Sequence, residues 1–269
     1  MQTRPLQNPM YKYLLFSLMT ISGIVIVTNL LGHSTANSVG YVMYGVLPAI
    51  PLVLALLNVQ KFRMSGKHGF AWIIFAGALA SRFIAEQLWT VYDKVFEIDP
   101  WPSEADFFYL LFYGLFAAFS ILYLKPFMTS INRKKIVVSI AVSVAIFAPT
   151  MFHMVSIYEE QWEVKYNDII IGMLYPISDS IVIIPTVIAL MLFFEGKVNF
   201  FWSAIFVGIL CLIVSDTLFL MEEIDSTYEV GHPLDIGYFS TYVLFSFGLY
   251  HNMKVFTIPK SRFRESDLR

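Results

Sequence analysis

The chain has 269 residues, of which 57% are hydrophobic and 17% aromatic, while only 14% are charged. A soluble domain of this length carries about 25% charged residues, so this chain is too apolar to cover its own surface in water. Its formal net charge of −2 at pH 7 is nearly neutral and does not suggest a nucleic-acid-binding protein. The composition therefore predicts an integral membrane protein that is solvated by the lipid bilayer and has the bilayer as its expected partner.

Eight segments of the chain reach the length of about 20 apolar residues that a helix needs to cross the hydrocarbon core. Backbone polar groups in lipid must be paired internally, so these continuous runs predict helices and an all-α fold. The predicted spans are approximately 12–31, 39–59, 70–92, 106–126, 136–157, 169–194, 200–221 and 234–253. We interpret the first as a retained helix, because it is too long for a signal peptide and no A-x-A site follows.

The segments that connect the spans alternate in charge. Segments 61–67 and 133–135 are basic, as are the C-terminal residues from 254 onward. Segments 93–104 and 222–229 on the other side are acidic, as is 159–163. Because positive loops stay in the cytoplasm, we expect a multi-pass protein of the cell membrane with both termini in the cytoplasm.

The second half of the chain resembles the first half. Glu86 aligns with Asp216 at an offset of 216 − 86 = 130 residues. At an offset of 235 − 106 = 129 residues, three polar positions also align, namely Asp106, Tyr109 and Tyr113 with Asp235, Tyr238 and Tyr242. The sequence therefore predicts two four-helix repeats, at 1–130 and 131–257, followed by a basic cytoplasmic tail at 258–269. Repeats with an even number of spans are parallel and related by a pseudo-twofold axis along the membrane normal.

Two carboxylates within the predicted spans are candidate catalytic residues. Ionisable groups inside a bilayer are costly and usually face the protein interior or a watery cavity. Glu86 lies one helical turn after Arg82, so an internal ion pair is an alternative to a functional role for Glu86. Leu212 replaces this arginine in the second repeat, which leaves Asp216 unpaired. An unpaired carboxylate in lipid favours its protonated form, so Asp216 is the leading candidate for a proton donor or acceptor.

Further candidate ligand-binding residues lie in the same half of the predicted membrane. Asp179 follows a Tyr-Pro pair, where freed backbone carbonyls and a polar run can line a cavity. Asp106 and Asp235 begin the fourth and eighth spans, where an acidic side chain also serves as a helix cap. The other candidates are aromatic residues near these carboxylates, namely Trp89, Tyr109, Tyr113, Tyr238 and Tyr242. Together they predict an acidic and aromatic pocket that opens outward; no metal site is expected, and the cofactor is unknown.

Two motifs resemble a group of bacterial membrane domains. Residues 102–110 (PSEADFFYL) resemble the PSxADxxYL signature of multi-pass domains found at the N-terminus of some diguanylate cyclases. Residues 175–179 (YPISD) resemble a YPxxD element of the same domains. This resemblance implies a membrane domain that senses or binds a ligand.

A second resemblance is to the lysoplasmalogenase family of eight-span membrane proteins. Residues 215–218 (SDTL) and 238–242 (YFSTY) are similar to the SDTxxA and YYxAQ motifs of that family. Its other half carries a Gly-Asp pair, whose position is occupied here by Ala85 and Glu86. The family's two aspartates are thought to drive vinyl-ether hydrolysis, so the resemblance implies Asp216 and Glu86 as acid–base partners.

Three functions remain as alternatives. The first is the binding or sensing of a small apolar or cationic ligand in the outward-facing pocket. The second is hydrolysis of a lipid by the paired carboxylates, as the lysoplasmalogenase resemblance implies. The third is cation- or proton-coupled transport, which duplicated carboxylates favour. A parallel repeat is less typical of alternating access than an inverted one, so transport ranks third. Glu86 stands where the lysoplasmalogenases have an aspartate, so we expect binding or sensing of a lipid or small molecule ahead of hydrolysis.

Overall fold

The computed structural model describes residues 9–62, 66–160, 166–194, 198–224 and 227–255, and these residues form helices and connecting turns without β-strands. The helices in chain order are α1 (Pro9–Leu31), α2 (His33–Val46), α3 (Ala49–Phe62), α4 (Gly66–Lys94), α5 (Glu104–Leu124), α6 (Arg133–Glu160), α7 (Tyr166–Phe193), α8 (Asn199–Ile224) and α9 (Asp235–Val255). A short 3₁₀ helix, Lys125–Ser130, continues α5. The predicted all-α fold is confirmed. The predicted tail at 258–269 lies outside the described residues.

Seven helical segments in the described ranges are long and apolar enough to cross a membrane. The first segment is α1, and the second consists of α2 and α3 taken together. The other five are the individual helices α4 to α8. This result confirms the prediction of a multi-pass membrane protein. α9 has 21 residues, enough to span about 31 Å at 1.5 Å per residue, but it is not among the seven. Its sequence includes Ser240, Thr241, His251 and Asn252, which interrupt the continuous apolar stretch that the seven segments have.

The second predicted span differs from the structure in its start and in its continuity. The sequence predicts one helix at 39–59, whereas α2 already begins at His33, directly after α1. Gly32 makes the sharp turn between them with a φ of 117°, a backbone conformation that glycine adopts readily. Pro48 has no backbone N–H, so the helix cannot continue its hydrogen-bond ladder there, and it breaks between α2 and α3.

Two helix pairs form the centre of the bundle. α4 packs along α5, and α8 packs along α9. α3 contacts both α4 and α9 on one side, while α7 contacts both α5 and α8 on the other. α1 and α6 lie at the periphery, where only 11% of the most apolar window of each helix is buried. The surface of these two helices is therefore the part of the fold most suited to contact with lipid.

Large aromatic side chains fill the space between the two central pairs. Phe75 of α4 stacks on Phe119 of α5 with ring centroids 4.3 Å apart. Trp72 contacts Phe201 of α8 at 5.6 Å, and Phe119 stacks on Trp202 at 5.9 Å. Such ring contacts stabilise a packed interior beyond the area that they bury. These rings form a packed aromatic layer between the two helix pairs.

Candidate functional site

Five carboxylates are buried among the described residues, and each is at most 4% exposed. They are Glu86, Asp106, Asp179, Asp216 and Asp235. All five are residues that the sequence predicts for the site. An unpaired buried charge is costly, so each carboxylate must accept hydrogen bonds, pair with a cation or bind a proton.

Glu86 on α4 is held by two tyrosine hydroxyls and one guanidinium group. Tyr109 of α5 donates to it at 2.8 Å, and Tyr242 of α9 donates to its other oxygen. The Nε of Arg82 lies 3.2 Å from Glu86 Oε1 and donates to the Tyr242 hydroxyl at 3.1 Å. The Arg82 guanidinium also lies over the ring of Tyr109, 4.6 Å from its centroid. The ion pair considered for Glu86 is therefore present and is itself part of a wider network.

Asp216 on α8 accepts hydrogen bonds from the same two helices. Tyr238 of α9 donates to its Oδ1 at 2.8 Å, and Tyr113 of α5 donates to its Oδ2. Within the described residues, Asp216 forms no ion pair. Glu86 and Asp216 thus each accept one hydrogen bond from α5 and one from α9.

Asp106 caps α5 and also binds α7. Its Oδ2 accepts from the backbone N–H of Ser103 at 2.7 Å, and the Ser103 side chain accepts from the first turn of α5 in return. Ser103 and Asp106 thus form a capping box, the helix-capping role expected for Asp106 from its position at the start of α5. The Oδ1 of Asp106 accepts from the hydroxyl of Tyr175 on α7 at 2.5 Å.

Asp235 plays the corresponding part at the start of α9. Its Oδ2 accepts from the backbone N–H of Gly231 at 2.7 Å. Its Oδ1 accepts from the hydroxyls of Tyr44 on α2 at 2.8 Å and Tyr228 at 3.1 Å. Burial raises the pKa of Tyr228 well above its usual value, so this hydroxyl stays protonated and remains a donor.

Asp179 on α7 differs from the other four carboxylates. Its Oδ1 is buried and has no hydrogen-bond partner. Its carboxyl lies beside the Tyr113 hydroxyl and near Asp216. Pro176, three residues earlier, lies inside α7 and leaves a backbone carbonyl of the preceding turn without its helical donor.

A cavity of about 40 Å³ lies among these groups. At 10–15 Å³ for each water position, it has room for about three water molecules. Glu86, Asp216, Arg82 and Leu220 line it together with seven aromatic side chains. The two candidate catalytic carboxylates therefore face one shared cavity.

A wider depression of about 380 Å³ adjoins this cavity at the acidic end of the bundle, where α4 leads to α5 and α8 leads to α9. The cavity and the depression share Trp89 and Tyr228 in their linings. Phe219 packs against both rings, at centroid distances of 5.4 Å and 4.8 Å. We call Trp89, Phe219 and Tyr228 the aromatic gate. The acidic side chains around the depression are Asp93, Asp99, Glu223 and Glu229.

An apolar groove of about 330 Å³ lies on another side of the site, between α1, the break that separates α2 from α3, and α9. Its lining includes Phe16, Leu47, Ile50 and Phe247. Tyr242 also lines this groove, although its hydroxyl donates to Glu86. Tyr242 therefore separates an apolar groove from the polar network.

The structure divides the predicted site residues into two groups. Those that line the cavity are Glu86, Trp89, Tyr109, Asp216 and Tyr238. Those outside its lining are Asp106, Tyr113, Asp179, Asp235 and Tyr242. The sequence does not predict the six further lining residues as site residues, namely Tyr44, Arg82, Tyr175, Phe219, Leu220 and Tyr228. Tyr44 and Tyr175 are 175 − 44 = 131 residues apart, close to the repeat offset, and this spacing is a signal that could have identified them.

The fold and the site define a multi-pass helical membrane protein with a buried network of carboxylates and tyrosines. No group of three His, Cys, Asp or Glu side chains within the described residues is arranged to hold a metal ion. No family model matches the chain, and no curated protein or solved structure matches it either.

Proposed function

We propose that this protein binds a small ligand bearing an ammonium group, and that it takes this ligand from outside the cell into the cavity between Glu86 and Asp216. In this proposal the chain crosses the cell membrane eight times, with α9 as the eighth span. The acidic end faces outward, because the basic segments at the other end favour the cytoplasm. The protein acts as a binding or sensing domain.

The hydrogen bonds support two parallel repeats. In the repeat alignment, Glu86 corresponds to Asp216. Its donors Tyr109 of α5 and Tyr242 of α9 correspond to the donors of Asp216, which are Tyr238 of α9 and Tyr113 of α5. The helix contacts follow the same exchange, because α3 contacts α4 and α9 as α7 contacts α8 and α5. α9 runs from Asp235 at the acidic end to Lys254, which also supports its assignment as a span. A central helix that faces other helices rather than lipid can be more polar than a peripheral one.

The observation that carries the ligand assignment is the charge of the cavity wall. Arg82 pairs with Glu86, so these two charges compensate each other. Asp216 faces the same cavity without a cationic partner among the described residues. Seven aromatic rings and Leu220 complete the lining. A carboxylate within an aromatic cage is the arrangement that recognises ammonium groups, because the ring faces attract cations.

The depression next to the cavity supports the same assignment. It presents more carboxylates than cationic side chains, so its potential attracts cations toward the aromatic gate. The cavity itself is small, and its volume of about 40 Å³ is of the size that methylammonium requires. Larger cations such as trimethylammonium require the rings of the gate to move.

The test is calorimetric titration of the protein in lipid nanodiscs with methylammonium and with trimethylammonium. Asp216→Asn is expected to weaken binding at least about tenfold, because a bond to a charged group contributes roughly 1.5–3 kcal/mol. Glu104→Gln removes the same charge at the acidic end but lies outside the cavity lining, so it is the matched control and should bind as the wild type does. Failure of the folded wild type to bind either cation, or equal binding by Asp216→Asn, would contradict the proposal.

A second function is favoured by the apolar groove. A lipid chain bound in that groove would reach Tyr242, and a water held in the cavity would lie between two carboxylates able to act as general acid and base. This arrangement supports a lipid hydrolase similar to the lysoplasmalogenases, with Asp216 and Glu86 as the acid–base pair. Turnover of lysoplasmalogen by the wild type, lost in Asp216→Asn, would favour this function over cation binding.

A further inference from the structure

The Arg82 side chain uses only part of its hydrogen-bonding capacity. It is 4% exposed, and its Nε donates to the Tyr242 hydroxyl at 3.1 Å and lies 3.2 Å from Glu86 Oε1. Its terminal nitrogen Nη1 is buried and has no hydrogen-bond partner among the described residues. A guanidinium group carries several N–H donors, and a buried donor that is left without an acceptor is costly. Nη1 is therefore an open donor within the site.

The guanidinium group of Arg82 belongs to the wall of the cavity between Glu86 and Asp216. Arg82 lines this cavity, whereas Tyr242, which accepts from its Nε, does not. The guanidinium carbon lies 4.6 Å from the centroid of the Tyr109 ring and 5.4 Å from that of the Tyr238 ring. Both tyrosines line the cavity. A guanidinium that stacks on aromatic rings keeps the N–H groups at its edge available for hydrogen bonds.

Tyr238 connects this open donor with the carboxylate that lacks a cation. The Tyr238 hydroxyl donates to Asp216 Oδ1 at 2.8 Å, while the Arg82 guanidinium lies over the ring of the same tyrosine. Asp216 lines the cavity and forms no ion pair within the described part of the chain. Asp216 and the Arg82 guanidinium therefore lie at the two ends of one tyrosine side chain. A ligand satisfies both groups if it carries a cation and a hydrogen-bond acceptor a short distance apart.

The charges of the cavity wall decide which kind of acceptor fits. Glu86 and Arg82 compensate each other, so the wall has one net negative charge, on Asp216. An ammonium group neutralises this charge. A carboxylate on the same ligand would bring a further negative charge into a buried site, which is costly. A hydroxyl, ether or carbonyl oxygen accepts from Nη1 without adding charge.

We infer that the ligand of this cavity is an ammonium compound that also carries an uncharged oxygen acceptor, and that Arg82 selects it through this oxygen. The ammonium group binds Asp216, and the oxygen accepts a hydrogen bond from Arg82 Nη1. This inference rests on the proposed function and narrows its ligand class. Nη1 is enclosed in the closed cavity, so the oxygen reaches it only when the surrounding rings move, as they must for any cation larger than methylammonium.

Calorimetric titration in phosphatidylglycerol nanodiscs with ethanolammonium and with propylammonium tests the inference. The two cations have the same charge and equal chain length, and a hydroxyl in one replaces a methyl in the other. Ethanolammonium should bind at least about tenfold more tightly, because its oxygen satisfies a charged donor that is otherwise unpaired. Equal affinities would overturn the inference. Glycine should bind more weakly than ethanolammonium, and tighter binding of glycine would contradict an uncharged acceptor.

Arg82→Lys tests the part of Nη1 directly. A lysine keeps a cation beside Glu86 but has no planar fork of nitrogens. The variant should lose most of the preference for ethanolammonium over propylammonium. Arg133→Lys is the matched control, because it makes the same change at an exposed position in the first turn of α6 and should keep the preference. A preference that survives in folded Arg82→Lys excludes Nη1 as its source, and the wild-type comparison remains decisive where this variant does not fold.

The same ammonium and oxygen chemistry occurs in free solutes and in the ethanolamine headgroup of lipids. The depression at the acidic end adjoins the cavity, so we expect a free solute. Ethanolammonium should then bind equally well in nanodiscs that contain phosphatidylethanolamine, and competition by this lipid would overturn the free source. Failure of methylammonium to bind would sink the proposed function and this inference together. Binding of methylammonium without any preference for ethanolammonium would sink the inference alone.

Discussion

Tyr242 on α9 donates a hydrogen bond to Glu86 on α4, and this bond joins helices that are 156 residues apart in sequence at the bonded positions. The reverse connection runs from Tyr113 on α5 to Asp216 on α8. The two central helix pairs are therefore linked through their site residues as well as through aromatic packing. As a consequence, substitutions in the site should affect both the stability of the protein and its binding.

Glu86→Leu is expected to destabilise the protein strongly. It leaves Arg82 buried without its carboxylate, and breaking one partner of a buried ion pair costs about 3–5 kcal/mol. The double variant Arg82→Leu with Glu86→Leu should regain a substantial part of this loss, because no uncompensated charge remains. Thermal unfolding of the three proteins in one detergent measures both effects. Equal destabilisation by the single and double variants would contradict the ion-pair argument.

Substitution by alanine is expected to have opposite effects on stability at two glycines, Gly237 and Gly114. A Cβ at Gly237 on α9 would collide with the Ser215 hydroxyl and lie 3.2 Å from the Cys211 carbonyl oxygen. Gly237→Ala should therefore lower the free energy of unfolding by about 1–3 kcal/mol, as overpacking does. A Cβ at Gly114 on α5 would have no neighbouring atom within 4 Å, so Gly114→Ala should be neutral or stabilising by up to about 1 kcal/mol. Unfolding curves of both variants provide the comparison.

The aromatic gate should control access to the cavity. Leu220 lines the cavity, so Leu220→Cys, in a Cys211→Ala background, reports access by its reaction with a charged thiol reagent. Phe219→Ala removes the ring between Trp89 and Tyr228 and should accelerate this labelling several-fold. Labelling from the outer side of intact cells, and not from the cytoplasmic side, is expected. Unchanged labelling after Phe219→Ala would show that the gate does not limit access.

Cation binding should weaken in acid. An ammonium group binds Asp216 as a carboxylate, so a proton bound to Asp216 competes with it, and by reciprocity the cation also lowers proton affinity. If one proton competes, the affinity for the cation falls by at most about tenfold for each pH unit below the range in which Asp216 titrates in the empty site. Above that range the affinity is constant. Calorimetric titrations of methylammonium at several pH values measure this slope. An affinity that rises on acidification would contradict the assignment.

The sequence predicts the membrane class and the positions of most helices because the cost of burying a polar backbone in lipid imposes long apolar runs. It fails at the start of α2, where residues 33–38 are mainly small and polar. These residues are paired through tertiary contacts instead, as when Asn37 donates to the Val230 carbonyl at 3.3 Å. A hydropathy pattern does not register such contacts.

The candidate site is predicted in part for similar reasons. Carboxylates within apolar runs stand out, so Glu86 and Asp216 are found from the sequence alone. Tyr228 lies between α8 and α9, where helical periodicity gives no orientation, and its role depends on its contact with Asp235. Phe219 is one of 25 phenylalanines in the chain, and only its ring contacts distinguish it from the others.

The position of α9 in the network has a consequence for biogenesis. Tyr242 and Tyr238 of α9 each donate to one carboxylate, Glu86 and Asp216 respectively. Before α9 has been synthesised, each carboxylate therefore lacks one of its two tyrosine donors. Insertion intermediates at that stage would carry incompletely satisfied acids, and ionisable groups of this kind are costly inside a bilayer. We therefore expect a truncated product without α9 to leave the pocket unassembled and to be degraded rather than to accumulate.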